Sequence, residues 1–223
     1  MSEYRTRRAS LFVGVLMSLA TLTSVAAQPA LPAQVAAIQD RWAQVNYNTP
    51  KKQRESEFEV LAKQAAAARD AQSGNAAALI WEGIVLSSFA GERGGLGALG
   101  LVKKARKDFE QALSIDPKAL DGAAYTSLGA LYYQVPGWPI GFGDDAKARE
   151  LLQSGLKVDP DGIDANYFYA DYLQDQGDWK GAAAALEKAL AAPARPGREL
   201  ADQGRRKDIQ VLLAKVRPHL ASR

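Results

Sequence analysis

Few residues in this chain have the type and spacing that chemistry requires. The stretch "GGLGALGLVKK" sets Gly95, Gly97 and Gly100 in the G-x-G-x-x-G spacing that wraps a dinucleotide pyrophosphate, with Lys103 and Lys104 close behind. Such a motif works where a strand runs into its first glycine and an acid on a second strand, about 20 residues on, reaches the ribose. Here the preceding "WEGIVLSSFAGER" has helical periodicity, and the candidate acid, Asp116, lies in the turn "SIDP" behind a helix. No Gly-Lys-Ser/Thr occurs, so a Walker-type loop is excluded too. The glycines are expected to form an insertion of ten residues, 91–100, joining two helices.

Other reactive groups are as sparse. The single histidine, His219, stands four residues from the C-terminus, and there is no cysteine. Neither a nucleophile–base pair nor a zinc set can be assembled from those parts. "DPDGID" offers Asp159, Asp161 and Asp164, but without the spacing and closing glutamate of a calcium loop. It recurs in part as "DPKALDG", which points to turn and N-cap duty. No carboxylate pair stands out for hydrolysis. The expectation is a protein without catalytic residues, metal or cofactor.

A different chemistry is offered by "YYQVPGWPIGFGDD", where Pro136 and Pro139 stiffen a loop carrying Trp138 and Phe142. Rigid aromatics beside the mobile backbone around Gly95 and Gly97 suit an apolar or peptide ligand. Alternatively, Trp138 and Phe142 fold inward and seal the edge of a core.

The elements that must hold these residues are helices. Alanine-rich stretches with apolar residues three and four apart dominate, as in "FEVLAKQAAAARDA" and "AALIWEGIVLSSFA", and nothing alternates like a strand for long. Near the end, "DIQVLLAKV" lines Ile209, Leu212, Leu213 and Val216 along one stripe. About nine helices are expected in an all-α chain.

Residues 1–27 read as a secretory signal peptide. Arg5, Arg7 and Arg8 precede an apolar run from Leu11, and Val25-Ala26-Ala27 fits a small-x-small cleavage site near Ala27. The expected destination is the periplasm or the exterior, with no membrane span left after cleavage. The leader holds three of the 28 basic residues and one of the 25 acidic ones, so 25 face 24 in the remainder. That balance gives no reason to expect nucleic acid.

A repeat is hidden in the helices. "ARKDFEQALSIDP" and "ARELLQSGLKVDP" place Ala105, Phe109, Ala112 and Pro117 above Ala148, Leu152, Gly155 and Pro160, each pair 43 residues apart. "AAAALEKALAAP" repeats the pattern with Ala182, Leu186 and Ala189, its proline one place early at Pro193. Small residues let helices approach, the large one fills the gap, and the proline stops the helix. Ahead of these, "YTSLGALYYQ" offers Tyr125, Leu128, Gly129 and Tyr132, and "YADYLQDQGDWKGA" offers Tyr169, Ala170 and Leu173.

Together these positions resemble the tetratricopeptide repeat (TPR) family over roughly residues 76–194. The last copy has the family's period of about 34 residues; its predecessor carries two extra in its first turn and seven between its helices. The resemblance implies a TPR-like helical-hairpin solenoid. Residues 28–74 form a degenerate N-terminal hairpin, 75–194 three repeats with two inter-helix insertions, and 195–223 a polar-backed capping helix and tail. Both insertions sit at the A-to-B turn, so loops 91–100 and 135–143 are expected side by side.

The resemblance also implies a concave face built from the first helix of each repeat. The last repeat supplies Asp164, Tyr167, Asp171, Gln174 and Asp175. The middle one supplies Ala123, Thr126, Ala130, Tyr133 and Gln134, and the first Ala77, Ile80, Ile84, Ser87 and Ser88. A groove grading from apolar to acidic suits a protein or peptide segment with a basic end, unless the acids are merely a solvated face. The loop "VPGWPIGFGD" makes the array similar to the TatT-type TPR components associated with TRAP solute transporters. Those imply contact with a periplasmic solute-binding protein and a ligand-sized opening. The absent lipobox cysteine departs from membrane-tethered relatives.

Overall fold

A computed structural model describes residues 30–220; the expected signal peptide, with its expected cleavage site near Ala27, lies outside them. The described residues form nine α-helices and no strand, each helix packed on the next. They are α1 (Ala33–Asn48), α2 (Lys51–Ala71), α3 (Ala76–Arg93), α4 (Gly95–Ile115), α5 (Ala119–Gln134), α6 (Asp145–Val158), α7 (Ile163–Asp175), α8 (Trp179–Ala191) and α9 (Glu199–Leu220). The heaviest packing is within the pairs α3/α4, α5/α6 and α7/α8.

Local chemistry sets these boundaries. Pro117, Pro160 and Pro193 each stand two residues beyond the end of α4, α6 and α8, where a ring without an N–H cannot continue the ladder. Asp144 and Asp178 cap α6 and α8, accepting the backbone N–H of Lys147 at 3.0 Å and of Gly181 at 2.9 Å. Within the pairs, small residues meet large ones. A Cβ on Gly83 of α3 would lie 2.5 Å from the Phe109 ring of α4, and one on Gly129 of α5 2.8 Å from Leu152 of α6. Each glycine lets two helix backbones close over a buried side chain.

The stretch 91–100 departs from the expected loop. α3 continues to Arg93, Gly94 and Gly95 turn the chain at φ of 65° and 57°, and α4 starts at Gly95 itself. Gly97 and Gly100 therefore belong to the first turns of a helix. The physical reason lies between the glycines: "LGALGLVKK" is rich in leucine, alanine and lysine, good helix formers that outweigh the glycine penalty. The extra residues lengthen α3 and α4 instead of looping out. The second insertion does remain a loop, since two prolines and the Gly137, Gly141 and Gly143 backbone give no helix a start.

Two apolar cores result. One gathers α3 to α9 around Phe109, Leu128, Leu152, Tyr172 and Leu186, with the Ile209–Leu212–Leu213–Val216 stripe of α9 buried in it. The other gathers α1, α2 and one face of α3 around Val35, Trp42, Phe58, Leu61 and Trp81. α9 differs from a terminal cap in one respect: its polar face turns inward and packs on α1 and α7. First and last helix thus meet.

Candidate functional site

The inward face of α9 carries Asp202, Arg205 and Asp208, spaced three apart so that all lie within one sector of the helix. Arg205 is buried. Its Nε donates to Asp164 of α7 at 2.7 Å and its Nη1 to Asp208 at 3.2 Å, while its guanidinium lies 4.3 Å from the Tyr167 ring centre and 4.9 Å from that of Phe168. Arg195, in the α8–α9 connection, donates to Asp164 at 2.8 Å and grips Asp202 through Nε and Nη2. Burial opposes the charge on Asp164, but Arg205 and Arg195 outweigh it and hold the carboxyl well below the usual carboxylate range. Burial also works against charge on Arg205, and Asp164 reverses that, raising its affinity for the proton.

α1 completes the arrangement. Tyr47 donates its hydroxyl to Asp208 at 3.1 Å, and its ring lies so close to Gly204 of α9 that a Cβ there would overlap it. Burial pushes the Tyr47 phenol up; Arg205 opposes that and Asp208 adds to it. Trp42, one turn earlier, packs edge-on to Tyr47 with centroids 5.8 Å apart and donates its indole N–H to Ser88 of α3 at 2.8 Å. Arg198 donates to Gln39 at 3.2 Å and sits 5.3 Å over the Trp81 ring.

These helices enclose an open cleft of about 410 Å³. Trp42, Asn46 and Tyr47 line it from α1, Arg54 from α2, Ser88 from α3, Tyr167 and Phe168 from α7, and Arg205 and Asp208 from α9. The volume falls in the range of small-molecule sites, roughly 300–1,000 Å³. Arg54 is engaged in part, donating its Nε to the Thr49 carbonyl at 2.9 Å and standing 3.9 Å from Glu92, whose main partner is Lys51 at 2.6 Å. With Asn46 it offers polar recognition, and the accessible lining is mostly polar, the Tyr167 and Phe168 rings being partly covered by the Arg205 guanidinium.

No protein-family model matches this chain, and no curated protein matches it.

The residues singled out from the sequence are distributed unevenly around this cleft. Tyr167 and Ser88 line it. Asp164 is occupied by the two arginines. Tyr133 and Asp171 are brought together, the phenol donating to the carboxylate at 2.8 Å and receiving the Gln134 amide at 3.1 Å. Burial, reinforced by Asp171, pushes the Tyr133 hydroxyl well above its ordinary range. Gln174 is half-buried and Asp175 exposed. Thr126 does not line a groove at all: it is buried against Gly155 of α6, where it fills the helix–helix contact.

The aromatic loop divides between its two expected roles. Phe142 turns inward onto Tyr132, with ring centres 5.4 Å apart, and Arg106 of α4 stacks over it at 4.7 Å. Trp138 faces outward at 90% exposure, with Ile140 at 59% and Pro136 and Pro139 exposed between and beside them. Gly95 and Gly97 sit on exposed helix, beside Leu96 at 84%. Among the described residues no group of three or more His, Cys, Asp or Glu side chains could hold a metal, and no helix is long and apolar enough to cross a membrane.

Arg195, Arg198, Arg205, Trp42, Tyr47 and Arg54 escaped the sequence reading. A signal for the arginines was present. "RELADQGRRKD" sets Asp202, Arg205 and Asp208 three apart on one helix face, the spacing of a helix laced with salt bridges.

Proposed function

We propose that this chain is a non-catalytic, exported TPR-like binding protein whose ligand site is this cleft, taking a small polar organic ligand with an anionic group. One observation carries the reading. The concave acid meant for a partner's basic end, Asp164, is held by the chain's own Arg195 and Arg205. An extended peptide along that face would have to displace α9, whereas a small ligand fits the space that α9 leaves. Among the two sequence-level alternatives this favours the transport accessory or carrier over the peptide scaffold. Arg54 and Asn46 would orient the anionic group, and Tyr47, Tyr167 and Phe168 would flank the rest of the ligand.

The outward Trp138 and Ile140 favour an additional role, docking of a protein partner such as a solute-binding protein on the α5–α6 edge. Both roles separate in one experiment. A fluorescent aryl sulfonate, anilinonaphthalene sulfonate, serves as probe for the cleft, and pull-down from an envelope fraction reports the partner. Replacing Asn46→Leu with Arg54→Ala is expected to weaken probe binding about tenfold or more while helical content is kept. Trp138→Ala should leave the probe unaffected and deplete the partner. Unchanged probe affinity in the cleft variant sinks the ligand reading.

A further inference from the structure

We propose that the cleft takes a zwitterion, with the ligand's anionic group at Arg54 and a protonated amine at Asp208. The proposal rests on the cleft being a ligand site and adds a second, opposite charge to the ligand.

Two opposite charges line this one cleft from different helices, Arg54 from α2 and Asp208 from α9. Both are fastened to the same end of α1. Arg54 donates its Nε to the carbonyl of Thr49, the residue directly after α1, and Asp208 accepts the hydroxyl of Tyr47 from its last turn. Neither charge is used up by these contacts. On Asp208 the Tyr47 hydroxyl and the Arg205 Nη1 both meet Oδ2, and Oδ1 takes no hydrogen bond among the described residues. On Arg54 neither terminal nitrogen makes a hydrogen bond there, and Nη1 stands 3.9 Å from Glu92. Both side chains are half-buried, where a charge-assisted hydrogen bond is stronger than on open surface.

The neighbours of each group leave its charge partly unbalanced. Glu92 is shared by two cations and lies closer to Lys51, at 2.6 Å, than to Arg54. Positive charge is therefore left over on the α2 wall. On the α9 wall one guanidinium serves two carboxylates: Arg205 reaches Asp164 at 2.7 Å and Asp208 at 3.2 Å. The nearby Arg198 is turned elsewhere, over the Trp81 ring and toward Gln39, and lines no part of the cleft. Negative charge is left over at Asp208. A simple anion answers Arg54 but brings like charge toward Asp208, and a simple cation does the reverse. A ligand carrying both groups answers each wall and adds no net charge to the cleft.

The second charge is tested by displacing anilinonaphthalene sulfonate with ω-amino acids of two to six carbons, set against carboxylates and alkylamines of the same lengths. At least one amino acid is expected to bind about tenfold tighter than both of its singly charged counterparts. Asp208→Asn keeps the side chain's size and an acceptor for Tyr47, and should cut the preference over the carboxylate to about twofold or less. Arg54→Gln should do the same to the preference over the alkylamine, so the two variants fail against opposite counterparts. Circular dichroism checks that each variant stays helical, and if one unfolds the other's ratio decides. A wild-type protein that binds amino acids no tighter than carboxylates at every length overturns the zwitterion. So does an Asp208→Asn variant that keeps the full preference. Dye affinity that ignores Arg54→Gln counts against the cleft reading itself; dye affinity that falls while amino acids gain nothing over carboxylates refutes the second charge alone.

Discussion

Two kinds of joint hold this molecule together, and they use glycine for the same end with different fillings. In the stacked hairpins, Gly83 admits Phe109 and Gly129 admits Leu152, and the space between helices is mostly apolar. At the seam that α9 makes with α1 and α7, Gly204 admits Tyr47 of α1, and the side facing α7 is ionic: Asp164, Asp202 and Asp208 against Arg195 and Arg205. A stack of hairpins can be extended by repeating one contact. A seam that closes the array has to fit two faces that are not copies of each other, and complementary charge fixes their register where shape alone would not. α9 serves both joints, with its aliphatic stripe on α8 and its charged face toward α7 and α1.

The sharpest way to break the comparison is to overfill a stack. Gly129→Leu has no room beside Leu152 and should cost about 3 kcal/mol in urea unfolding, the upper end of the usual overpacking loss. If the contact is tolerated with a loss below about 1 kcal/mol, the hairpins do not pack through small-against-large pairs as argued. The seam should respond to lost charge instead. Asp164→Ala leaves two partly buried guanidinia without their shared carboxylate and should cost about 3 kcal/mol. Adding Arg205→Met to that variant should recover part of the loss, because one of the two guanidinia goes with it, while Asp208, which also loses Arg205, keeps Tyr47. A double-mutant cycle that is simply additive would mean the seam is not an ionic unit.

The joints also differ in how legible they were. Helix content, the proline stops and the aliphatic stripe of α9 follow from composition and period, which any helix displays in its own sequence. The small-against-large pairs were visible because they recur at fixed offsets. The glycine insertion misled, since glycine was weighed above the leucines and lysines around it, and the chain spent those residues on longer helices. The aromatic loop was readable as a loop, but the opposite fates of Phe142 and Trp138 were not, because proline fixes the backbone and leaves the facing of each ring to its neighbours. The cleft was the least legible feature. Its walls come from α1, α2, α3, α7 and α9, and no period links Tyr47 to Asp208, 161 residues later. Contacts between unlike faces leave no repeated trace in one sequence.

Buried charge offers a subtler test, because the stack also holds some. Asp108 of α4 is 7% exposed, near Glu82 of α3, which Arg69 and Lys104 engage; one Asp108 carboxylate oxygen has no hydrogen-bond partner. Burial first, then the charge of Glu82, pushes its pKa up to about 7 against the opposing pull of Lys104 and Arg69. Asp164 in the seam is shifted the opposite way, so the two acids make opposite demands on pH. An acid with a lowered folded pKa stabilises above its unfolded value of about 3.9, and that contribution disappears as pH falls through the folded pKa. An acid with a raised folded pKa stabilises below about 3.9, and that contribution is lost as pH rises toward 7. Between those limits Asp164 stays ionised in the fold and adds no decline, so a decline in stability on going from pH 4 to pH 7 should come chiefly from Asp108, with a smaller share from Asp159, whose carboxyl burial also pushes up. Asp108→Asn should flatten that decline and raise stability by about 1 kcal/mol at pH 8, with little effect at pH 4. A wild-type profile already flat across this window would show that the Asp108 carboxylate finds solvent or a partner, and the contrast between a satisfied seam and an unsatisfied stack would fail.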